Sequence, residues 1–168
     1  MRKALYILGD LEDSDILWLS RHGSVRSLVP GEVLIEAGRA IGELFFVTDG
    51  TLAVTSPAGA HVADLALGDV VGEMSFVEKA LPSATVTARD HVRVLAVPRA
   101  AILAEFAADS GFAARFYRAL AVFLSDRLRS LSTPAGGQAE LDEGLLDTLS
   151  EAGDRFVRLI ALLEGREH

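Results

Sequence analysis

The chain has 168 residues, which is enough for one folded domain with an additional segment, and 50% of them are hydrophobic. It contains no cysteine, which excludes disulfide bonds, thiolate metal ligands and cysteine nucleophiles. The formal net charge is −8, which argues against a dedicated nucleic-acid-binding protein because phosphate contacts need a basic surface.

The N-terminal region predicts helix and no targeting signal. Residues 4–22 indicate one helix or a pair of helices, interrupted at Gly9-Asp10. We expect Trp18, the only tryptophan, to pack in the core or under a lid, with stacking on a ligand as the alternative. The N-terminus lacks a signal-peptide pattern, and no segment approaches the roughly 20 apolar residues of a membrane span. We therefore expect a soluble, cytoplasmic protein.

Residues 25–97 change to the alternating pattern of short strands. Turn signals separate apolar runs about every ten residues; among them, Pro30-Gly31 indicates a turn and Asp49-Gly50 predicts a tight hairpin. Many short strands at this spacing predict a sandwich or barrel rather than an α/β sheet. The expected fold class is α+β and mainly β, with about eight strands flanked by helices.

Residues 68–88 interrupt the strand pattern with a short insert. Gly72 lets the backbone turn sharply or approach a ligand closely. Residues 73–77 predict about one helical turn, and residues 83–88 alternate back into a strand. Because the first N–H groups of a helix have no partner within it, such a turn favours a bound anion.

Helices are predicted after the strands. Pro98 is suited to the first position of a short helix over residues 100–107, and residues 112–131 form a longer helix with a broad apolar face. The sequence from Thr133 to Gly137 ends that helix, because proline cannot continue it and the glycines form a hinge.

This pattern predicts three parts: a domain over residues 1–132, a hinge over 133–138 and an amphipathic helix over 139–168. The last helix carries a short heptad seam of Leu145, Leu149, Ala152, Phe156, Leu159 and Leu163. Two uses of the seam stay open: it folds back on its own domain, or it forms a homodimer or docks a protein partner. Two glycines weaken the helix by ~1 kcal/mol each, so it needs a packing surface to form.

The insert at residues 68–88 resembles the phosphate-binding cassette of the cyclic nucleotide-binding domain family. Two further stretches, at residues 30–38 and 44–50, resemble the first hairpin and the central strand of that family. The resemblance covers about residues 11–131. It implies a double-stranded β-helix, that is, a jelly-roll-like β-roll, with flanking helices and here an extra C-terminal helix.

In the family, a Gly and neighbouring amides hold the cyclic phosphate, a Glu takes the ribose 2′-hydroxyl and an Arg pairs with the phosphate. Gly72 and Glu73 match this pattern, and residues 84–88 match the closing strand. The arginine does not match, because Pro82 stands in its place. Losing charged hydrogen bonds costs about 1.5–3 kcal/mol each, and a total near 3 kcal/mol weakens binding roughly 150-fold.

The resemblance implies a ligand site for cAMP or cGMP, with no cofactor and no metal. The candidate ligand-binding residues are Gly72, Glu73, Met74, Ser75, Ser83, Ala84, Thr85 and Arg127. Ser83 either contacts the phosphate or is satisfied by nearby backbone. Glu73 either awaits a ribose hydroxyl or is neutralised by backbone amides or by an arginine, for which the candidates are Arg39, Arg89 and Arg93. A second role is open for the same three arginines: any of them could take the place of the missing cassette arginine.

Two functions follow from these residues. The first is a stand-alone sensory or regulatory module that binds a cyclic nucleotide weakly, or another small anionic ligand, and relays this to its C-terminal helices. The alternative is a degenerate domain that serves as a dimerisation or docking scaffold. We expect no enzyme, because the four histidines are scattered and no catalytic motif is present. We expect no nucleic-acid partner, since the segment after the hinge is acidic and too short for a helix-turn-helix domain. We expect no membrane partner, since no segment has the length and apolar character of a membrane span.

Overall fold

The computed structural model describes residues 9–132 and 143–165. The chain forms two compact units. The strand unit spans Leu19–Ala104, and the helical unit combines the chain up to Trp18 with the chain from Glu105 onward. The predicted hinge over residues 133–138 lies outside the described residues, and the predicted domain boundaries stay predictions.

The strand unit contains eight strands in the described part of the chain. In order, they are β1 (Ser24–Leu28), β2 (Val33–Ile35), β3 (Glu43–Asp49), β4 (Leu52–Thr55), β5 (His61–Leu65), β6 (Val70–Val71), β7 (Thr85–Ala88) and β8 (Val92–Pro98). They form two four-stranded antiparallel sheets, with the orders β1-β8-β3-β6 and β2-β7-β4-β5. The predicted α+β, mainly β fold class is therefore confirmed.

The core of this unit is built by alternate residues of every strand. Its buried members are Leu28, Ile35, Phe45, Val47, Leu52, Val54, Leu65, Val71, Val86, Ala88, Val92, Val94 and Ala96. Because side chains alternate between the faces of a strand, this spacing directs one face of each sheet into a shared core. Strands β3 and β8 also bury the residues of their other face, such as Phe46 and Leu95, which explains their continuous apolar sequences.

The described chain also contains helices, with bounds close to those predicted from the sequence. They are α1 (Asp13–His22), α2 (Glu73–Glu78), α3 (Arg99–Ala108), α4 (Ser110–Ser132) and α5 (Glu143–Glu164). None of the helices in the described ranges is long and apolar enough to cross a membrane.

Two predicted helix boundaries are wrong. Gly9 and Asp10 are helical, and the interruption falls at Leu11 and Glu12. There the Asp15 carboxylate accepts a hydrogen bond from the Glu12 N–H at 2.8 Å, which caps the start of α1. Pro98 ends strand β8, and α3 begins one residue later.

Aromatic rings form the centre of the helical unit. Phe112, Phe116 and Phe123 are buried, and Trp18 packs its ring 5.2 Å from that of Phe112. Trp18 therefore packs against the interior of this unit. The apolar face predicted over residues 112–131 is not buried throughout, since Leu128 is 66% exposed.

Ion pairs connect the helices of this unit to its N-terminal segment. Arg115 donates to both oxygens of Asp15, at 2.7 and 2.8 Å. The hydrogen bond to the Asp15 carboxylate raises the pKa of Arg115 above its usual value, so the guanidinium stays charged.

Helix α5 contacts its own chain. Arg155 donates to the Gly9 carbonyl at 2.7 Å, and Arg158 pairs with Asp13 at 2.5 Å. Leu159 and Leu163 of the predicted seam are buried within the single chain. These contacts favour the alternative in which the C-terminal helix folds back on its own protein.

Candidate functional site

The first half of the cassette is a sharp turn from strand β6 into helix α2. Gly72, the N-cap of this helix, has a φ of 91°, in the left-handed region that glycine adopts without strain. A Cβ atom built at Gly72 would lie 2.9 Å from Cδ1 of Ile41. The Gly72 carbonyl accepts a hydrogen bond from the Phe76 N–H at 3.0 Å, which closes the first helical turn. The left-handed backbone therefore favours glycine here, and the end of the Ile41 side chain would have to shift to admit a Cβ atom.

Polar groups in this half are buried to an unusual degree. Glu73 is 3% exposed and Ser75 is 7% exposed, whereas Met74 between them is 50% exposed. Glu73 takes part in a polar interaction within the chain, as a buried carboxylate must to offset its desolvation. The N–H groups of Met74 and Ser75 lie in the first turn of α2, where helix geometry provides no acceptor.

Asp69, just before the cassette helix, is another buried carboxylate. One of its oxygens accepts a hydrogen bond from the Ala66 N–H at 2.9 Å and so closes the turn that precedes strand β6. Its other oxygen, Oδ1, has no hydrogen-bond partner among the described residues. The sequence pattern did not indicate the burial of this side chain.

The second half of the cassette is tied to the loop that follows strand β2. The Pro82 carbonyl accepts a hydrogen bond from the Gly38 N–H at 2.8 Å, and the Thr85 hydroxyl oxygen accepts one from the Ala37 N–H at 3.1 Å. Ser83 is exposed between these two anchors. The hydroxyl oxygen of Thr85 thus has a structural role, whereas Ser83 is an exposed residue.

Two of the three arginines considered as partners of Glu73 are paired elsewhere, so that expectation is wrong for them. Arg39 forms an ion pair with Glu36 at 3.0 Å, and Arg89 forms one with Asp64 at 2.8 Å. Hydrogen bonds from His61 and Arg89 lower the pKa of Asp64 below its usual value. The third, Arg93, is half-buried on strand β8.

Seven of the eight predicted site residues lie in the strand unit, within residues 72–85. The eighth, Arg127, is half-buried on α4 in the helical unit. Within the described residues, no group of three or more His, Cys, Asp or Glu side chains is arranged to hold a metal ion.

Sequence reasoning missed Arg99, the first residue of α3. Its guanidinium donates to the carbonyls of Ser75 at 3.4 Å and Phe76 at 3.3 Å. Its Cζ lies 5.5 Å from the centroid of the Phe76 ring. No local signal in the sequence indicates this contact, because more than 20 residues separate Arg99 from the cassette helix.

This fold and cassette define a class of ligand-binding regulatory domain. The family model of the cyclic nucleotide-binding domain matches residues 25–109, slightly more than half of the chain. The protein therefore belongs to the cyclic nucleotide-binding domain family, as its resemblance to that family predicted. The matched range includes the whole cassette and Arg99 but not Arg127.

Solved structures agree with this assignment. The N-terminal domain of a transcriptional regulator from Streptomyces coelicolor is 25% identical, with a TM-score of 0.60, and the match covers 76% of this chain and 92% of that one. A cyclic nucleotide-binding domain from Methylobacillus flagellatus is 18% identical, with a TM-score of 0.69 and coverage of 82% and 85%.

A third match is the regulatory subunit of a cAMP-independent protein kinase A from Trypanosoma brucei. It is 24% identical, with a TM-score of 0.57, and the match covers 76% of this chain and 42% of that one. A comparison with curated proteins finds no match.

Proposed function

We propose that this protein is a sensory or regulatory module that binds cAMP or cGMP weakly through its cassette. The observation that carries this proposal is an intact cassette backbone with a buried Glu73, combined with Pro82 at the position of the family arginine. Residues 72–75 provide the turn, the first-turn amides and the carboxylate. Ser83 contributes an exposed hydroxyl on the other side of the cassette.

The missing arginine sets the strength of binding. An arginine gives a cyclic phosphate two aligned, charge-assisted hydrogen bonds, which a neutral group does not reproduce. Their loss, about 3 kcal/mol in total, weakens the site roughly 150-fold relative to a cassette that has the arginine. We therefore expect dissociation constants in the micromolar range or weaker.

The trypanosome kinase subunit supports this emphasis on the cassette side chains. The subunit is described as cAMP-independent, and a triple mutant in which one substitution introduces an arginine is described as bound to cAMP in its A site. In that protein, three substitutions are present in the form described as bound to cAMP. By analogy, we expect the side chain at position 82 to have a large effect on nucleotide affinity here.

The second candidate function is a scaffold that binds no nucleotide. Two polar atoms of the second half, the Pro82 carbonyl and the Thr85 hydroxyl oxygen, already accept hydrogen bonds from the loop after β2. A segment that satisfies its own polar groups does not need a ligand to hold its shape. In this alternative, the C-terminal helices supply a surface for a second copy of the chain or for another protein.

The experiment that tests the proposal is calorimetric titration of the purified protein with cAMP and cGMP. Glu73→Ala removes the carboxylate expected to take the ribose hydroxyl, and Glu73→Gln keeps its volume. Glu78→Ala is the matched control, because Glu78 is an exposed residue of the same helix with the same charge. Circular dichroism confirms that each variant is folded.

Micromolar binding that is lost in Glu73→Ala and retained in Glu78→Ala supports the sensor. An absence of heat up to millimolar nucleotide would contradict cyclic nucleotide sensing and favour the scaffold. Light scattering of the same samples, with and without nucleotide, measures whether the chain forms a dimer.

A further inference from the structure

Arg99 connects the cassette helix to the start of α3. Its backbone N–H donates to the Gly42 carbonyl at 2.8 Å, which fixes the first residue of α3 to the chain just before β3. From this position its half-buried side chain reaches the carbonyls of Ser75 and Phe76. The two terminal nitrogens of one guanidinium thus contact two successive carbonyls of the cassette helix.

The cassette helix needs such support because it is short. Helix α2 has six residues, and isolated helices shorter than roughly 12 residues are marginal in water. The Ser75 carbonyl also accepts a hydrogen bond from the Lys79 N–H, whereas helix geometry provides no donor for the carbonyls that follow it. Cationic side chains stabilise that end of a helix. The helix ends at Lys79, a non-glycine residue at a φ of 57°, which is an unfavourable backbone conformation.

The contact with the Phe76 ring adds to the two hydrogen bonds. Phe76 is 5% exposed, and the guanidinium carbon of Arg99 lies 5.5 Å from the centroid of its ring. A guanidinium at this distance is attracted to the ring face, and its planar fork suits neighbouring carbonyls better than an ammonium does. Three contacts of one side chain therefore converge on two neighbouring residues of α2.

We infer that Arg99 is the positioning residue of the cassette: it holds the C-terminal half of α2 so that the Met74 and Ser75 N–H groups and Glu73 keep their places at the other end. Arg99 acts through its contacts with Ser75 and Phe76 in this inference, so it is a positioning residue and not a ligand-binding one. The inference rests on the proposed function where it concerns nucleotide affinity. Its structural part applies equally to the protein without ligand.

The test compares Arg99→Gln with Arg26→Gln by amide hydrogen exchange in the ligand-free protein. Arg26 is a matched control, because its guanidinium carbon also lies 5.5 Å from a phenylalanine ring centroid, that of Phe45, and it pairs with Glu43 on β3 outside the cassette. The reporting amides are Phe76 and Lys79, which donate to Gly72 and Ser75 within α2.

We expect about tenfold faster exchange at both reporting amides in Arg99→Gln, since one or two charged hydrogen bonds are lost. The Val47 amide, which bonds to the Asp69 carbonyl, is the internal reference and should not change. Faster exchange at all amides alike would indicate global destabilisation and contradict a positioning role. Equal exchange of α2 in Arg99→Gln and Arg26→Gln would also overturn the inference.

Arg99→Lys keeps the positive charge but not the planar guanidinium. We expect its amide exchange rates at Phe76 and Lys79 to lie between those of the wild type and those of Arg99→Gln. It also serves as the test variant if Arg99→Gln does not fold. Titration with cAMP should show several-fold weaker binding for Arg99→Gln and unchanged binding for Arg26→Gln. If the wild type binds no nucleotide, the proposed function fails while the exchange result still decides the role of Arg99.

Discussion

The two halves of the cassette differ in how closely they match the pattern of the cyclic nucleotide-binding domain family. The first half, from Gly72 to Glu78, has the turn, the helix and the buried carboxylate of a cyclic nucleotide-binding domain. The second half has Pro82 where the family has its arginine. The left-handed turn at Gly72 is needed by the fold even without a ligand, whereas the arginine is needed only to pair with a phosphate. Ligand chemistry can therefore change without loss of the fold.

Restoring the arginine should have the largest effect. We expect Pro82→Arg to strengthen cAMP binding by up to about 150-fold, because it adds two charge-assisted hydrogen bonds worth about 3 kcal/mol in total. Calorimetry of Pro82→Arg against Pro82→Ala measures this, since the alanine variant removes the proline without adding charge. Equal affinities in the two variants would mean that the second half cannot hold a phosphate even with its charge restored.

Replacing the glycine of the first half should destabilise the protein. We expect Gly72→Ala to lower the free energy of unfolding by about 1–3 kcal/mol, because alanine is strained at a φ of 91°. Gly59→Ala is the control: Gly59 has a φ of 82°, but a Cβ there would meet no atom within 4 Å. Urea unfolding compares the two. Because both glycines have a positive φ, the difference between the two losses measures the cost of the Ile41 contact, and equal losses would show that this contact has no cost.

Removing the hydroxyl of Thr85 tests the link between the second half and the loop after β2. We expect Thr85→Val to cost about 1 kcal/mol of stability, because the Ala37 N–H loses its acceptor. Thr87→Val is the matched control on the same face of β7. Chemical denaturation measures the free energy of unfolding of both variants. The same loss in both would indicate that the loss comes from replacing a hydroxyl with a methyl group and not from the hydrogen bond to the Ala37 N–H.

Removing the hydroxyl of Ser83 should have the smallest effect. Ser83 is exposed, so we expect Ser83→Ala to leave stability unchanged within about 0.5 kcal/mol. If Ser83 contacts the phosphate, the same variant binds cAMP about 2- to 10-fold more weakly, as expected for one neutral hydrogen bond. Unchanged affinity with unchanged stability would remove Ser83 from the site and leave binding to the first half alone.

The parts of the fold that were predicted correctly depend on local sequence. The continuous apolar run over residues 44–47 indicated strand β3, and Asp49-Gly50 indicated the turn after it, where Gly50 has a φ of 81°. The tight hairpin predicted at this turn is wrong, because β3 and β4 lie in different sheets. The short helix after Gly72 followed from one glycine and its neighbours. The errors concern which charged groups meet: Arg39 pairs with Glu36 three residues away, Arg89 pairs with the distant Asp64, and Arg99 joins the cassette from α3.

The sequence by itself determined the strand periodicity, the turn at Gly72 and the replacement of the family arginine by Pro82, because each depends on residues close together in the chain. Only the tertiary structure decided which guanidinium groups reach which partners. Strands β6 and β8 both pair antiparallel with β3, one on each side of it, so both end near the start of β3. Arg99, which follows β8, therefore meets Ser75 and Phe76 of the helix that follows β6. Such proximity is a product of sheet pairing, which no local pattern of side chains specifies.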